Sequence, residues 1–101
     1  MGRGFVAVTE LEVRLPGSAT LKDRRSALAR LRNGLAERFG ASVAEVGDLD
    51  TPQHGALLVA SAQQSQADCD AFVQRLEGWL EEREVEVGIL QTRAVTPGDL
   101  E

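Results

Sequence analysis

The sequence is poor in the residues that support metal, disulfide and stacking chemistry. It contains one cysteine, one histidine and no tyrosine, and its only aromatic residues are three phenylalanines and one tryptophan. A single cysteine excludes an intrachain disulfide, and one cysteine with one histidine leaves too few soft ligands for a zinc site. No apolar run approaches the ~18 residues of a membrane span, and no secretory signal pattern is present. These absences predict a cytoplasmic protein without a membrane partner, and without a metal or other cofactor.

Length and charge bound what remains. The chain has 101 residues, is 43% hydrophobic and carries a net charge of −5, which predicts a single domain over 1–101 with one modest core. The charge is unevenly spread, because residues 1–39 hold eight basic and four acidic groups while the remaining residues hold three and twelve. The negative total argues against a general DNA coat, and the basic first part favours an anionic partner.

Alternation and helical periodicity predict six elements. Their bounds are a strand over 5–15, a helix between a Thr20 cap and a Gly40 stop, strands over 41–46 and 56–62, a helix after a Ser65 cap, and a final strand around 85–89. Residues 47–55 form a turn-rich hairpin loop. Because crossover connections are right-handed, both helices are expected on one sheet face. The predicted fold class is α+β, a ferredoxin-like βαββαβ sandwich with antiparallel strand order 4-1-3-2.

A basic cluster at the start of the first helix is the leading functional candidate. Phosphate contact with structured RNA is the interpretation we pursue for five cations, namely Arg14, Lys22, Arg24, Arg25 and Arg32. Arg25 and Arg32 are seven residues apart, and Lys22 lies one turn before Arg25, so the three share one helix side. Arg30 belongs to the same cluster, and the sequence leaves open which side of the helix it takes. The alternative is an ordinary solvated helix face.

The uncovered sheet face is the second candidate. Val6, Val8 and Leu90 are expected there and would form a homodimer or protein interface, among charged and polar neighbours, namely Glu10, Glu12, Arg14, Glu84, Glu86 and Thr92. Solvent exposure of this face is the alternative. Because every aromatic residue falls on an apolar stripe, base stacking on the open sheet is not expected.

Other candidates have plainer explanations. Asp48, Asp50 and His54, with Glu45 nearby, contain ligand types for a metal, although turn chemistry accounts equally well for both aspartates. Cys69 lies on an apolar stripe and is expected in the core. Glu10 and Glu12 have a spacing that glycosidases use, yet alternating acids are common on open strands. No phosphate loop, dinucleotide fingerprint or serine elbow is present, so an enzyme is not expected. A small-molecule or metal-binding regulatory domain is a third hypothesis.

Two segments resemble the YlxP-like family of small bacterial proteins. Leu15–Ser18 running into Leu21–Arg25 resembles its L-P-x-x-x-S-L-K-[DE]-K-R motif, and Ser42–Val46 with Asp50 and Gln53 resembles V-S-V-A-E-V followed by D-x-x-Q. The resemblance covers nearly the whole chain and implies a ferredoxin-like fold. Genes of this family commonly lie among those for transcription elongation, translation initiation and ribosome maturation. The resemblance therefore implies a partner such as ribosomal RNA or the small ribosomal subunit, and it implies no catalytic residues.

Two positions depart from this family pattern. Thr20 replaces the usual serine and preserves the helix cap. Pro52 stands where many members have tryptophan, so stacking of the hairpin loop on a base is not expected.

Overall fold

A computed structural model describes residues 3–47, 51–83 and 85–100. Within the last range, it describes the backbone of Leu90 but not its side chain. The elements along the chain are β1 (Phe5–Arg14), α1 (Leu21–Phe39), β2 (Ser42–Val46), β3 (His54–Gln63), α2 (Gln66–Glu81), β4 (Glu86–Val95) and a final 3₁₀ turn, η1 (Pro97–Leu100). The predicted βαββαβ order is confirmed.

The four described strands form one antiparallel sheet in the order β2-β3-β1-β4. This is the predicted 4-1-3-2 order read from the other edge, and the ferredoxin-like α+β sandwich is therefore confirmed. β1 and β3 occupy the centre, with pairing that runs from Phe5 opposite Gln63 to Arg14 opposite His54. Both helices contact this central pair or its neighbours.

A bulge in β4 corrects one prediction. Glu10 pairs with Gln91 and Leu11 pairs with Ile89, so the register skips Leu90. Beyond the bulge, Thr92 lies opposite the buried Thr9 on the helix side of the sheet. The expectation that Thr92 faces away from the helices is wrong, because one extra residue reverses the alternation of the strand. Glu84 lies outside the described residues.

Local capping explains where the helices begin and end. Thr20 Oγ1 accepts a hydrogen bond from Asp23 N at 3.1 Å, while Asp23 Oδ2 accepts from Thr20 N at 3.2 Å. Gly40 ends α1 with φ of 63°, a conformation that glycine adopts without a Cβ clash. Ser65 Oγ accepts from Asp68 N at 3.1 Å and caps α2 through this bond. The predicted caps are confirmed.

The core lies between the helices and the covered sheet face. Its largest fully buried apolar side chains come from both layers, namely Phe72, Leu11, Leu28, Leu35, Leu57, Leu76, Val13 and Val59. Close packing reaches Gly55 in β3, where an added Cβ would stand 2.6 Å from Leu28 Cδ1. Among the described residues, none of the helices has the length and apolar character needed to cross a membrane.

Candidate nucleic-acid interface

Three of the five predicted RNA contacts remain together on α1. Lys22 and Arg25 are exposed near the start of the helix. Arg32 lies two turns after Arg25, and its Nη1 stands 3.6 Å from Glu45 Oε1 on β2. Residues three and seven apart lie on one side of a helix, so these cations follow the edge of α1 that overlooks β2. We call Lys22, Arg25 and Arg32 the basic stripe.

Arg24 has a structural position that contradicts its assignment to the RNA-contacting set. Its relative exposure is 2%, and its Nη1 donates to the backbone oxygen of Thr51 at 3.4 Å. It therefore joins α1 to the end of the β2–β3 loop. A guanidinium that lies inside the domain cannot reach a phosphate on the surface, and Arg24 is removed from the candidate interface.

Arg14 is also separated from the stripe. It is exposed at the end of β1, where its Nε lies 3.9 Å from Glu86 Oε2 and its Cα lies opposite His54. The neighbouring His54 Nδ1 stands 3.6 Å from Glu12 Oε1. Alternation along β1 places these groups on the sheet face that the helices leave open, because the intervening Val13 is buried in the core. The prediction that Arg14 extends the helical cluster is wrong.

Arg30, whose side of the helix the sequence left open, lies on the other side of α1. There it lines a groove of about 770 Å³ between α1, the end of α2 and the β1–α1 connection. Trp79 and Arg83 line the same groove, and the Arg83 guanidinium carbon stands 4.3 Å from the centroid of the Trp79 ring. The sequence analysis did not predict this groove, because the position of Trp79 on an apolar stripe did not show that its ring also borders a groove. The available signal was an arginine four residues after a tryptophan at a helix end.

The open sheet face combines small, apolar and charged groups. Val6 and Val8 of β1 are half-buried there, opposite Ala62 and Ala60 of β3. Leu58, opposite Glu10, is 36% exposed. The side chain of Leu90, the third predicted interface residue, lies outside the described part of the chain. The prediction for this face considered only β1 and β4, and the alanines that β3 adds make the face smaller in side-chain size than predicted.

The structure tests the remaining candidates, the acidic loop and Cys69, to different extents. Asp48 and Asp50 lie outside the described residues, and Glu45 is engaged by Arg32. Within the described ranges, no cluster of three or more histidine, cysteine or acidic side chains could hold a metal ion. Cys69 is buried as predicted, at 3% exposure. Burial raises the pKa of its thiol, and the charges of Asp70 and Asp68 add to that rise.

Comparison with known proteins identifies the family. A family model described as "Protein of unknown function (DUF503)" matches residues 6–94. The match extends from β1 into β4 and includes both helices. No curated protein matches the chain.

Proposed function

Because the chain belongs to the DUF503 family, whose description assigns no activity, we propose from the geometry that it is a non-enzymatic cytoplasmic protein that binds structured RNA through the basic stripe. The favoured partner is ribosomal RNA of the small subunit. Lys22 and Arg25 are the principal phosphate contacts in this proposal, and Arg32 extends the footprint along α1.

The observation that carries the proposal is the alignment of exposed cations on one helix edge. α1 holds six basic and two acidic residues, whereas α2 holds one basic and four acidic residues. A polyanion is attracted to the first helix and repelled by the second, so the charge of the helix layer orients the approach. This charge difference favours one direction of approach for the RNA, although the protein as a whole carries a negative net charge.

The position of the cations within α1 adds support. Lys22 lies in the first turn and Arg25 directly after it, where the positive end of the helix dipole disfavours positive side chains. Such placement costs stability, which Asp23 in the same turn offsets in part, and a phosphate bound by Lys22 and Arg25 would offset the remainder. The arrangement suits a phosphate ligand better than it suits an isolated helix.

The resemblance to YlxP-like proteins narrows the partner. The matching segment includes Lys22 and Arg25 of the stripe. Gene neighbours that act in translation and ribosome maturation favour ribosomal RNA over other structured RNA. Membership in the YlxP-like group is itself a prediction. The ribosome experiment below tests the role near the ribosome that this membership implies.

The deciding experiment is co-sedimentation with ribosomal subunits over a salt series. We expect binding of the wild-type protein to weaken steeply with salt, and the Lys22→Glu/Arg25→Glu variant to lose binding with its circular dichroism unchanged. Loss of two phosphate contacts should lower the logarithmic salt slope by about two in any residual binding. The matched control is Arg3→Glu/Arg75→Glu, which changes the same charge at exposed positions outside α1. Equal binding by the stripe variant and wild type would overturn the proposal.

A second candidate function is homodimerisation through the open sheet face. Leu58, Val6 and Val8 supply apolar surface, and the oppositely charged Glu10 and Arg93 lie on neighbouring rows of the same face. A two-fold axis through that face can place each of these charges against its opposite in a second copy. Sedimentation equilibrium at micromolar concentration tests this: a dimer that Val8→Lys dissociates supports it, and a wild-type monomer rejects it.

A further inference from the structure

We infer that the α1–α2 groove, defined by Arg30, Gly34, Trp79 and Arg83, is a second site that binds a nucleotide. The base would stack on the guanidinium of Arg83, and the phosphate would contact Arg30. The groove volume of about 770 Å³ falls within the range of small-molecule sites. The groove opens on the α2 side of α1 and shares no residue with the basic stripe, so this site stands whether or not the stripe binds RNA.

The floor of the groove is a tryptophan held from two sides. Gly34 of α1 permits close approach, because a Cβ at this position would stand 2.9 Å from Trp79 Cη2 and Cζ2. Phe39 packs edge-on against the indole, with ring centroids 6.0 Å apart and an interplanar angle of 86°. Phe39 in turn meets the buried Phe72. The indole is therefore positioned by both helices and by the core.

Arg83 builds on this floor. Its guanidinium carbon lies 4.3 Å from the ring centroid of Trp79, which is cation–π stacking distance. The side chain lines the groove and keeps 37% of its surface exposed. A guanidinium held in this way has little rotamer freedom left to lose, and its planar surface is a stacking platform for a nucleobase.

Arg30 would supply the anion contact at the α1 wall, and Ser26 of α1 and the buried Ser18 of the β1–α1 connection also line the groove. The two acidic residues that line the groove are both engaged. Asp23 Oδ2 accepts hydrogen bonds from the backbone of Ala19 and Thr20, and Glu82 Oε2 lies 3.4 Å from Arg83 Nη2. Neither of these carboxylates is paired with Arg30, so its guanidinium can contact a phosphate; the negative charge of Asp23 opposes the anion, and Glu82 competes for Arg83.

The experiment uses adenosine 5′-monophosphate and the intact chain. Calorimetric titration measures binding, and the emission of Trp79 locates it, because the protein has one tryptophan and no tyrosine. Adenosine and inorganic phosphate are titrated separately. We expect both to bind at least tenfold more weakly than the nucleotide, since each lacks one of the two contacts.

The variants assign each contact. Arg30→Ala and Arg83→Ala should each weaken nucleotide binding about tenfold, and Glu82→Gln should strengthen it by releasing Arg83. Arg75→Ala, an exposed arginine on α2 outside the groove, is the control and should bind like wild type. No saturable binding of the nucleotide, or equal affinity in the Arg30→Ala and wild-type proteins, would overturn the inference.

A further comparison identifies the source of the nucleotide. If the groove serves a free nucleotide, a short single-stranded oligoadenylate binds no more tightly than the monophosphate. If it holds one unit of an RNA chain, the oligonucleotide binds more tightly and with a steeper salt dependence. Lys22→Glu/Arg25→Glu should leave binding of the monophosphate unchanged in either case, which separates this site from the proposed function of the stripe.

Discussion

α1 and α2 lie on the same face of one sheet and begin in the same way, but they differ in charge and in what they bury. Each follows a hydroxyl cap, Thr20 or Ser65, and each buries four residues along one side. Four residues after the cap, α1 buries Arg24 and α2 buries Cys69. The comparison teaches that equivalent positions in the two halves of the fold are both buried, and that the part of the domain facing each position determines which kind of side chain it holds.

Arg24 faces the β2–β3 loop, whereas Cys69 faces the apolar core. The loop offers the carbonyl oxygen of Thr51, which a charged donor satisfies better than any apolar side chain. Cys69 belongs to the buried hydrophobic cluster with Phe72 and Leu76. α1 therefore combines packing with the positioning of the β2–β3 loop, whereas α2 mainly packs.

The largest expected effect comes from Arg24→Met, which keeps much of the volume and removes the hydrogen bond. We expect the free energy of unfolding to fall by about 2 kcal/mol, because the charged Arg24 side chain loses its part-buried hydrogen bond to the Thr51 carbonyl oxygen. Urea denaturation measures this value. Wild-type stability in Arg24→Met would show that α1 needs only a filled position at this point, as α2 does.

At the matching position in α2, Cys69→Ala should lower the free energy of unfolding by about 1–2 kcal/mol, because a small cavity is created. The effect should depend on pH. The pKa of the folded thiol is raised above 9.0 by burial and by Asp70 and Asp68, so the folded state retains a proton that the unfolded state loses above that pH. Wild-type stability should therefore fall relative to Cys69→Ala as the pH rises above 9.0. A difference independent of pH would contradict this.

Glycines inside the two helices provide a more delicate comparison. An added Cβ at Gly78 of α2 meets nothing within 4 Å, whereas one at Gly34 of α1 would meet Trp79. Gly78→Ala should raise the free energy of unfolding by about 0.5–1 kcal/mol through helix propensity. Gly34→Ala should give less, because displacement of the indole offsets the gain. Thermal unfolding of both variants tests the difference, and equal stabilisation would show that Trp79 moves freely.

The smallest expected effect concerns the first turn of α1. Lys22→Glu should raise the free energy of unfolding by about 0.3–1 kcal/mol, because a negative charge suits the helix N-terminus. Ala67→Glu at the matching position of α2 should give a smaller gain, because it adds one negative charge and removes no positive one. If RNA binding falls while stability rises in Lys22→Glu, the cation serves a partner and not the fold. A loss of stability in Lys22→Glu would contradict the dipole argument.

Features with local causes were predictable from the sequence. The Thr20 cap, the Gly40 stop and the burial of Cys69 depend on residues within a few positions of one another, and each is confirmed. Together with the rule for crossover handedness, such signals sufficed for the fold. The bulge at Leu90 was not predictable, since register depends on the partner strand.

The candidate site was predictable only in part. Helical spacing grouped Lys22, Arg25 and Arg32 on one side of α1, but it left the side of Arg30 open. It could not show that Arg24 is buried, because an arginine in an amphipathic helix is ordinarily at the surface. It placed Trp79 on an apolar stripe, which agrees with its packing against the core, but it could not show that the edge of that stripe borders a groove.

The pairing of β1 with β4 also decides how this domain can be joined to other polypeptides. Val6 lies opposite Val95, so a chain enters the sheet at Phe5 and leaves it after Val95 at almost the same point. α1 begins beyond the other end of β1, about 30 Å away at ~3.3 Å per residue. A tag, surface anchor or host protein fused on either side would thus stand clear of both the stripe and the groove. The domain could also be inserted into a loop of another protein whose ends lie close together.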